Sequence, residues 1–349
     1  MKIAVLANLK KDVPLSEDHP PSDEYWDDLD DPKTVHSIMK ALQKYGHETR
    51  YLPGTVKSVQ SLKRYKPDLV FNFCEGHFGV SREAQIPAVL DSLRIPYTGA
   101  GVLGMSLSHD KNMAKKMFRA AGLPTAPSFL VTDPNQIPDH HLNFPLFVKP
   151  AHEGTSIGIN ENAKVHNQEE LIRQIDWVWK KLKSPILVEE YIHGREFTVS
   201  ILGDEVLPIV EIVSPTGYYS NEQKEQAVSE VYRVCPAHLS EEKTNEIKQI
   251  ARQAMYELEL SDLCRMDLRM DSRENVYILE VNPIPLLYPD PEQASFVYSA
   301  REAGYTYTEM INKIALSACK RLGITPTFNK TYESVITMPE LLPLAAGGG

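Results

Sequence analysis

The stretch LCRMDLRMDSRENVYILEVNP, residues 263–283, places charged and amide side chains in two strand-like runs where apolar residues would pack better. The central DSREN supplies turn formers, so the two runs read as a hairpin. A turn centred between Arg273 and Glu274 sets Asp267 opposite Glu280 and Arg265 opposite Asn282. Side chains alternate faces along a strand, so these four share one face. The other face carries Met266 and the neighbours of Leu268 with Tyr277, Leu279 and Val281, and suits a core. A slip of one residue would scatter the set.

Two carboxylates directly opposed across a sheet repel one another. A divalent cation removes that penalty. Asp267, Glu280 and Asn282 offer the hard oxygen ligands that Mg²⁺ prefers, with phosphate oxygens completing its shell. Arg265 beside them suits a phosphate or a developing oxyanion. The plainer alternative is a row of Arg–Asp and Arg–Glu ion pairs on a wetted sheet face. The apolar remainder of the segment weighs against it.

Outward from the hairpin, residues 1–110 alternate strand and helix signals: KIAVLAN, PDLVFNF and IPYTGA as strands, EAQIPAVLDSLRI as a helix. Val35, Ile38, Met39 and Leu42 recur at helical spacing and end at Gly46. The alternation predicts an α/β domain with a parallel sheet. Its loop at residues 16–31, acidic and proline-rich, is either a solvated connection or a lid over a ligand site. Residues 111–185 form a central unit with the helix KNMAKKMFRAAG, the strand FPLFVKP, a small-residue loop EGTSIGI and the helix NQEELIRQIDWVWKKL. Residues 186–325 read as α+β, with most of the antiparallel signals and a closing helix, TYTEMINKIALSACKRLGI. Residues 326–349 form a tail with a low-complexity end.

The length of 349 residues suffices for two or three domains. A formal net charge of −10 argues against nucleic acid as a partner. No run reaches the roughly 18 apolar residues of a membrane span. MKIAVLANLKKD turns polar too soon for a secretion signal and is expected to be a strand. Cys74, Cys235, Cys264 and Cys319 lie far apart with no CxxC, as expected of reduced thiols in a cytoplasmic protein.

RMDLRMD…YILEVNPIP resembles the metal-binding end of the ATP-grasp superfamily. Over roughly residues 65–320 the chain is similar to D-alanine–D-alanine ligases and their relatives. IPYTGAGVLGMSLSHDK, FPLFVKPAHEGTSIGI, ILVEEYIHGREFTV and the hairpin follow in that family's order. The resemblance implies an ATP-grasp fold, in which two α+β units clasp ATP beside the N-terminal α/β domain. It implies an enzyme that joins a carboxylate donor to an amine acceptor through an acyl phosphate. The cofactors implied are ATP and two Mg²⁺ ions, which Mn²⁺ could replace. A homodimer is the implied assembly.

The same resemblance assigns roles. Lys111 and Lys149 match phosphate-binding lysines, and an ammonium is a compact charge suited to phosphate. Glu153, Gly154, Thr155 and Ser156 belong to a loop folded over the phosphates. Gly154 and Gly158 there are expected at positive φ. Ser156 is also expected in catalysis. Glu189, Glu190, Tyr191 and Ile192 would meet adenine, Glu196 would hold ribose hydroxyls, and Leu279 joins the nucleotide set. Lys224 aligns with a mobile-loop lysine that reaches the transferring phosphate, and a solvated loop is its equal alternative. Asp267, Glu280 and Asn282 would bind metal. Arg265, with a backbone N–H near Leu286, would hold the oxyanion.

The resemblance fails at the amino-acid pockets. ANLKKDVPLSED lacks the family's glycine-rich turn and following Glu. FCEGHFGVSREAQIP replaces its His-Gly and Gly-Glu-Asp-Gly, and NPIPLLYPDPEQAS replaces a Pro-Gly and a later Ser. Glu75, Arg82 and Glu83 are the candidate substrate contacts there, Arg82 suiting a carboxylate, with a plain charge cluster at a helix start as the alternative. Leu286 and Tyr288 would shape the acceptor pocket. D-alanine fits neither pocket well, and an amino acid, a peptide or a small specialised metabolite is expected. Two rival readings stay open: a genuine D-alanine–D-alanine ligase with divergent pockets, and an ATP-binding scaffold without turnover.

Overall fold

The structure is a computed structural model that describes residues 1–12, 29–76, 78–214 and 231–326. In its N-terminal part, β1 (Lys2–Ala7), α1 (Pro32–Lys44), β2 (Glu48–Pro53), α2 (Val59–Tyr65), β3 (Leu69–Phe73) and α3 (Gln85–Leu93) alternate as expected. The described strands form a parallel sheet in the order β2-β1-β3. Asp31 starts α1 by accepting the backbone N–H of Lys33, and Gly46 ends the turn after it at φ 81°. IPYTGA is not a strand. Only Tyr97 bridges to Val70, because the chain turns away at Gly99.

Two helices lead out of this domain, α4 (Val102–His109) and α5 (Lys111–Ala120). Asp110 separates them, and its carboxylate caps α5. The central unit contains β4 (Ser128–Val131), β5 (Leu146–Pro150), β6 (Lys164–Val165), α6 (Gln168–Leu182) and β7 (Ile186–Glu190), with sheet order β4-β7-β5-β6. The sequence reading put a boundary at 185/186. Sheet pairing carries β7 into the central unit, so the sheets part after Glu190.

The third part contains β8 (Arg195–Leu202), β9 (Glu205–Val206), β10 (Val210–Val213), β11 (Tyr232–Val234), α7 (Glu241–Glu257), β12 (Leu263–Met270), β13 (Val276–Asn282), α8 (Ser295–Glu302) and α9 (Tyr307–Leu322). Its antiparallel order is β11-β10-β8-β12-β13. One continuous core joins this sheet to the N-terminal domain, including Val5, Phe71, Phe118, Phe197, Met266 and Ile314. The central unit has a separate core of Val148, Leu171, Ile175 and Val188 among others.

The hairpin pairs Arg265 with Asn282 and Asp267 with Glu280, the register read from sequence. Nearer the turn it departs from that register. Met270 faces Val276, Asp271 takes the backbone N–H groups of Arg273 and Asn275, and Glu274 lies at φ 62°. The turn is thus centred on Arg273. A β-bulge at Leu279 absorbs the odd residue and restores the expected pairing beyond it. Val276, Ile278 and Val281 therefore face the core, and Tyr277 and Leu279, expected there, are only half-buried.

Candidate active site

Three polar rungs cross one face of the antiparallel sheet. They are Ser200–Arg265–Asn282, Thr198–Asp267–Glu280 and Glu196–Arg269–Tyr277. Arg265 grips Asp267 with Nε to Oδ1 at 3.0 Å and Nη2 to Oδ2 at 2.8 Å. Asn282 donates its amide to the same carboxylate at 3.1 Å, which leaves its carbonyl oxygen for another partner. Burial would lift the Glu280 carboxyl, but Lys111, Lys149 and Arg265 outweigh it and hold the group below its ordinary range. For Arg265 burial works the other way and is overcome by Asp267, Glu280 and Glu75, so the guanidinium is held more firmly charged. Glu75 thereby belongs to the surroundings of Arg265.

These oxygens fit a hard cation. Two carboxylates and one amide carbonyl leave room for phosphate oxygens, and among the described residues no cluster of three or more His, Cys, Asp or Glu could hold a metal alone. The hydroxyls of Thr198 and Ser200, on the same face, are buried without a hydrogen-bond partner among the described residues. That is costly unless a further group is met there.

Above this face stand the lysines. Lys111 Nζ lies 3.4 Å from Glu280 Oε2 and 2.5 Å from the carbonyl of Glu153. Lys149 Nζ lies 2.7 Å from Glu189 Oε1, and Lys115 Nζ lies 2.7 Å from Glu189 Oε2. The contact to Oε2 is Coulombic, since that oxygen makes no aligned hydrogen bond. Burial would raise the Glu189 carboxyl, yet the two ammonium groups pull it down to about 2. Glu189 is therefore an anion sealed under two lysines, 3% exposed, rather than a side chain open to a base. Glu190 turns the other way and accepts from the backbone and amide of Asn143 at 2.8 and 3.0 Å.

After β7 the chain crosses between the sheets. Tyr191 packs beneath Lys164 and Arg269, at 4.2 and 4.7 Å from its ring centre. Arg269 also donates to the carbonyl of Ile192 at 3.0 Å and lies 3.4 Å from Glu196 Oε2. Burial dominates at Glu196, with Asp267 and Glu280 adding, and lifts its carboxyl to about 7 against the pull of Arg269 and Lys149. Leu279, on its bulge, is half-buried.

In the phosphate-loop candidate, Thr155, Ser156 and Gly158 take φ of 50°, 62° and 71°, while Gly154 does not, contrary to expectation. Two non-glycine residues in left-handed backbone mark local strain. A Cβ on Gly158 would fall 2.7 Å from Leu182 and 2.8 Å from Pro150. Glu153 turns its carboxylate to Arg82 at 3.2 Å.

The substrate candidates scatter. Arg82 is buried and also donates to the carbonyl of His152 at 2.9 Å, so the carboxylate it meets is the protein's own. Glu83 accepts from His109 Nδ1 at 2.9 Å. Tyr288 takes a hydrogen bond from Lys33 at 3.0 Å, and Leu286 is 46% exposed. Lys224, most of the acidic 16–31 loop and nearly all of the tail lie outside the described residues.

Sequence reasoning missed Lys115, Arg269, His109 and His152. Lys115 and Arg269 each had a signal: four residues after Lys111 on a helix, and two after Asp267 on a strand.

A model of the D-ala D-ala ligase C-terminus matches residues 117–315, more than half of the chain. A D-alanine–D-alanine ligase from Pseudoalteromonas translucida is 33% identical over 286 residues, covering 81% of this chain and 90% of that one. The chain belongs to the D-alanine–D-alanine ligase family. An uncharacterized protein, y4sG, from Sinorhizobium fredii is 32% identical over 303 residues, covering 83% and 88%. A D-alanine–D-alanine ligase structure from Bacillus anthracis, complexed with ATP, superposes with a TM-score of 0.72 at 23% identity, over 92% of this chain and 98% of that one. This likeness shows the ATP-grasp fold. As a member of the family, the chain is an ATP-dependent carboxylate–amine ligase that forms a carbon–nitrogen bond. No described helix is long and apolar enough to cross a membrane.

Proposed function

We propose that this ligase activates a donor carboxylate as an acyl phosphate and passes it to an amine other than D-alanine: that of an amino acid, a peptide or a small specialised metabolite. The observation that carries the chemistry is the convergence of Arg265, Asp267, Glu280 and Asn282 on one sheet face under Lys111 and Lys149. A donor carboxylate oxygen attacks the terminal phosphorus of ATP and ADP leaves. The amine then attacks the acyl carbon, phosphate departs, and the amine loses a proton.

Asp267, Glu280 and the carbonyl oxygen of Asn282 would hold Mg²⁺, whose charge, when bound, offsets that of the phosphates. Lys111 and Lys149 would meet the polyphosphate with their ammonium groups. Arg265, oriented by two hydrogen bonds to Asp267, would hold the tetrahedral oxyanion. An oxyanion donor of this kind is typically worth about 3 kcal/mol. Tyr191 and the carbonyl of Ile192 border the adenine position, and Glu196 borders the ribose. A chain leaving a strand beside an apolar pocket suits a purine.

Departure from D-alanine is supported on the substrate side. Arg82 is committed to Glu153, Leu286 projects where the family has glycine, and Lys33 with Tyr288 joins α1 to the acceptor segment. The relatives' name favours a second reading, D-alanine as both donor and acceptor.

The test measures ADP release with Mg²⁺ over pairs of amino acids, short peptides and polyamines, with products read by mass spectrometry. ADP release that needs one particular pair, with a product lighter than their sum by one water, supports the proposal. D-alanyl-D-alanine as the favoured product establishes the second reading instead. ATP binding without ADP release for any pair defeats both.

A further inference from the structure

Lys111 and Lys115 stand one turn apart on α5, so both point from one face of the helix. Each reaches a carboxylate on a different sheet. Lys111 meets Glu280 of β13, and Lys115 meets Glu189 of β7. Lys115 is 0% exposed. It also donates to Thr125 Oγ1 at 2.7 Å and to the carbonyl of Ala126 at 3.2 Å. Thr125 in turn donates to the carbonyl of Ile278, which ties the same junction to β13.

The charge balance at this junction is uneven. Lys115 and Lys149 share the single carboxylate of Glu189, and among the described residues neither forms an ion pair with another. Two ammonium groups and one carboxylate leave the triad with one positive charge in a place closed to water; burial pulls the Lys115 ammonium below its ordinary range against Glu189, and Glu280 and Asp267 act on Lys149 from beyond ion-pair distance. An unbalanced buried charge is expensive, and a neutral Lys149–Glu189 pair would avoid it. Lys149 and Glu189 sit on adjacent strands and need no third group to hold them together. The surplus charge makes sense beside an anion that arrives later.

We propose that Lys115 is a positioning residue for the nucleotide: it takes one oxygen of Glu189, so that Lys149, which keeps the other, meets the polyphosphate as part of a net-positive triad instead of as half of a neutral pair. This rests on the reading that Lys149 faces the phosphates, which the same experiment checks separately.

The experiment measures the ATP dissociation constant with Mg²⁺ by titration calorimetry, alongside thermal unfolding, for five variants: Lys149→Met, Lys115→Met, Lys115→Arg, Glu189→Gln and the double variant Lys115→Met with Glu189→Gln. Lys149→Met is expected to weaken ATP by about tenfold or more, as a charged hydrogen bond to phosphate is lost. An unchanged constant there defeats the underlying reading. Given that loss, Lys115→Met is expected to weaken ATP to a similar degree because it leaves the triad neutral. Lys115→Arg keeps the charge and stays close to wild type. The double variant restores one net positive charge and recovers most of the affinity lost in Lys115→Met.

A purely structural Lys115 gives the opposite result, with the double variant binding ATP no better than Lys115→Met, and that outcome overturns the proposal. Should Lys115→Met fail to fold, wild type and the double variant decide the matter, since both carry one net positive charge at the triad. Charge balance places their ATP affinities within about threefold of one another. A double variant weaker than wild type by about tenfold overturns the proposal as well.

Discussion

The proposed nucleotide side and the proposed substrate side of this ligase are built from different parts. On the nucleotide side the charged groups ride on strands and on α5: Glu189 on β7, Glu196 on β8, Arg265 and Asp267 on β12, Glu280 on β13, and Lys111 and Lys115 on the helix. Their backbones are hydrogen-bonded into ladders, and their side chains hold one another across two sheets. On the substrate side the candidates lie on connecting segments, 75–83 and 283–291, where pairing can change without disturbing a sheet. Strand-borne charges are set to within the tolerance of a ladder, as metal and phosphate geometry demands, while loops are free to vary with the ligand.

The hardest blow to the strand-borne half is Asp267→Asn. It removes the charge of a proposed metal ligand and the bidentate partner of Arg265 together. Ligase turnover is expected to fall by about a thousandfold or more, with ATP still bound and the unfolding temperature within a few degrees of wild type, since Asp267 is half-buried on a sheet face that it does not pack. Steady-state ADP release and a thermal melt check this. Turnover within about tenfold of wild type would move the metal away from the hairpin.

A middle-sized effect tests whether the two halves are separate. Arg82 sits on the proposed substrate side, yet its guanidinium reaches Glu153 and the His152 carbonyl of the phosphate-loop candidate. Arg82→Met is therefore expected to raise KM for ATP by about tenfold, from the lost charged hydrogen bonds, and to leave the KM of the donor and acceptor within about threefold. The reverse pattern, with KM for ATP constant and a substrate KM raised, would return Arg82 to substrate recognition and restore a sharp division of the cleft.

The same division governs what could be read from sequence. The rungs Arg265–Asn282 and Asp267–Glu280 were legible because only one register gathers four hydrophilic side chains on one face of otherwise apolar strands. The bulge at Leu279 was not, because an inserted residue breaks alternation without a residue type that announces it. The sheet that takes β7 was not legible, because a strand's neighbours are chosen by tertiary packing, and ILVEE reads alike in either. Lys115 was legible at four residues from Lys111 and was passed over because nothing local shows that Glu189 lies beneath it. Arg82 and His152 are 70 residues apart, so the carbonyl that claims the guanidinium has no local trace. The single strand-like bridge at Tyr97, expected as a strand, shows the limit of short apolar runs beside glycine.

The smallest expected effect concerns a single proton on the nucleotide side. Burial lifts the Glu196 carboxyl from its ordinary 4.5 to about 7, with Asp267 and Glu280 pushing the same way. The folded protein therefore favours the neutral acid. The stabilisation this brings is complete below about 4.5 and is lost as pH rises through about 7. Nucleotide binding works against that preference, because a ribose offers two hydroxyl donors and an ionised carboxylate can accept both. kcat/KM for ATP, which reports the free enzyme, is expected to climb by about threefold as pH passes 7. Glu196→Gln cannot ionise. It should hold the low-pH value throughout, and its unfolding temperature should lose the decline that wild type shows between pH 5 and 7.5. A Glu196→Gln profile that still rises near pH 7 would assign that ionisation elsewhere. It would leave the ribose end of the cleft with no titrating carboxylate, so its charges would be as fixed as those at the metal.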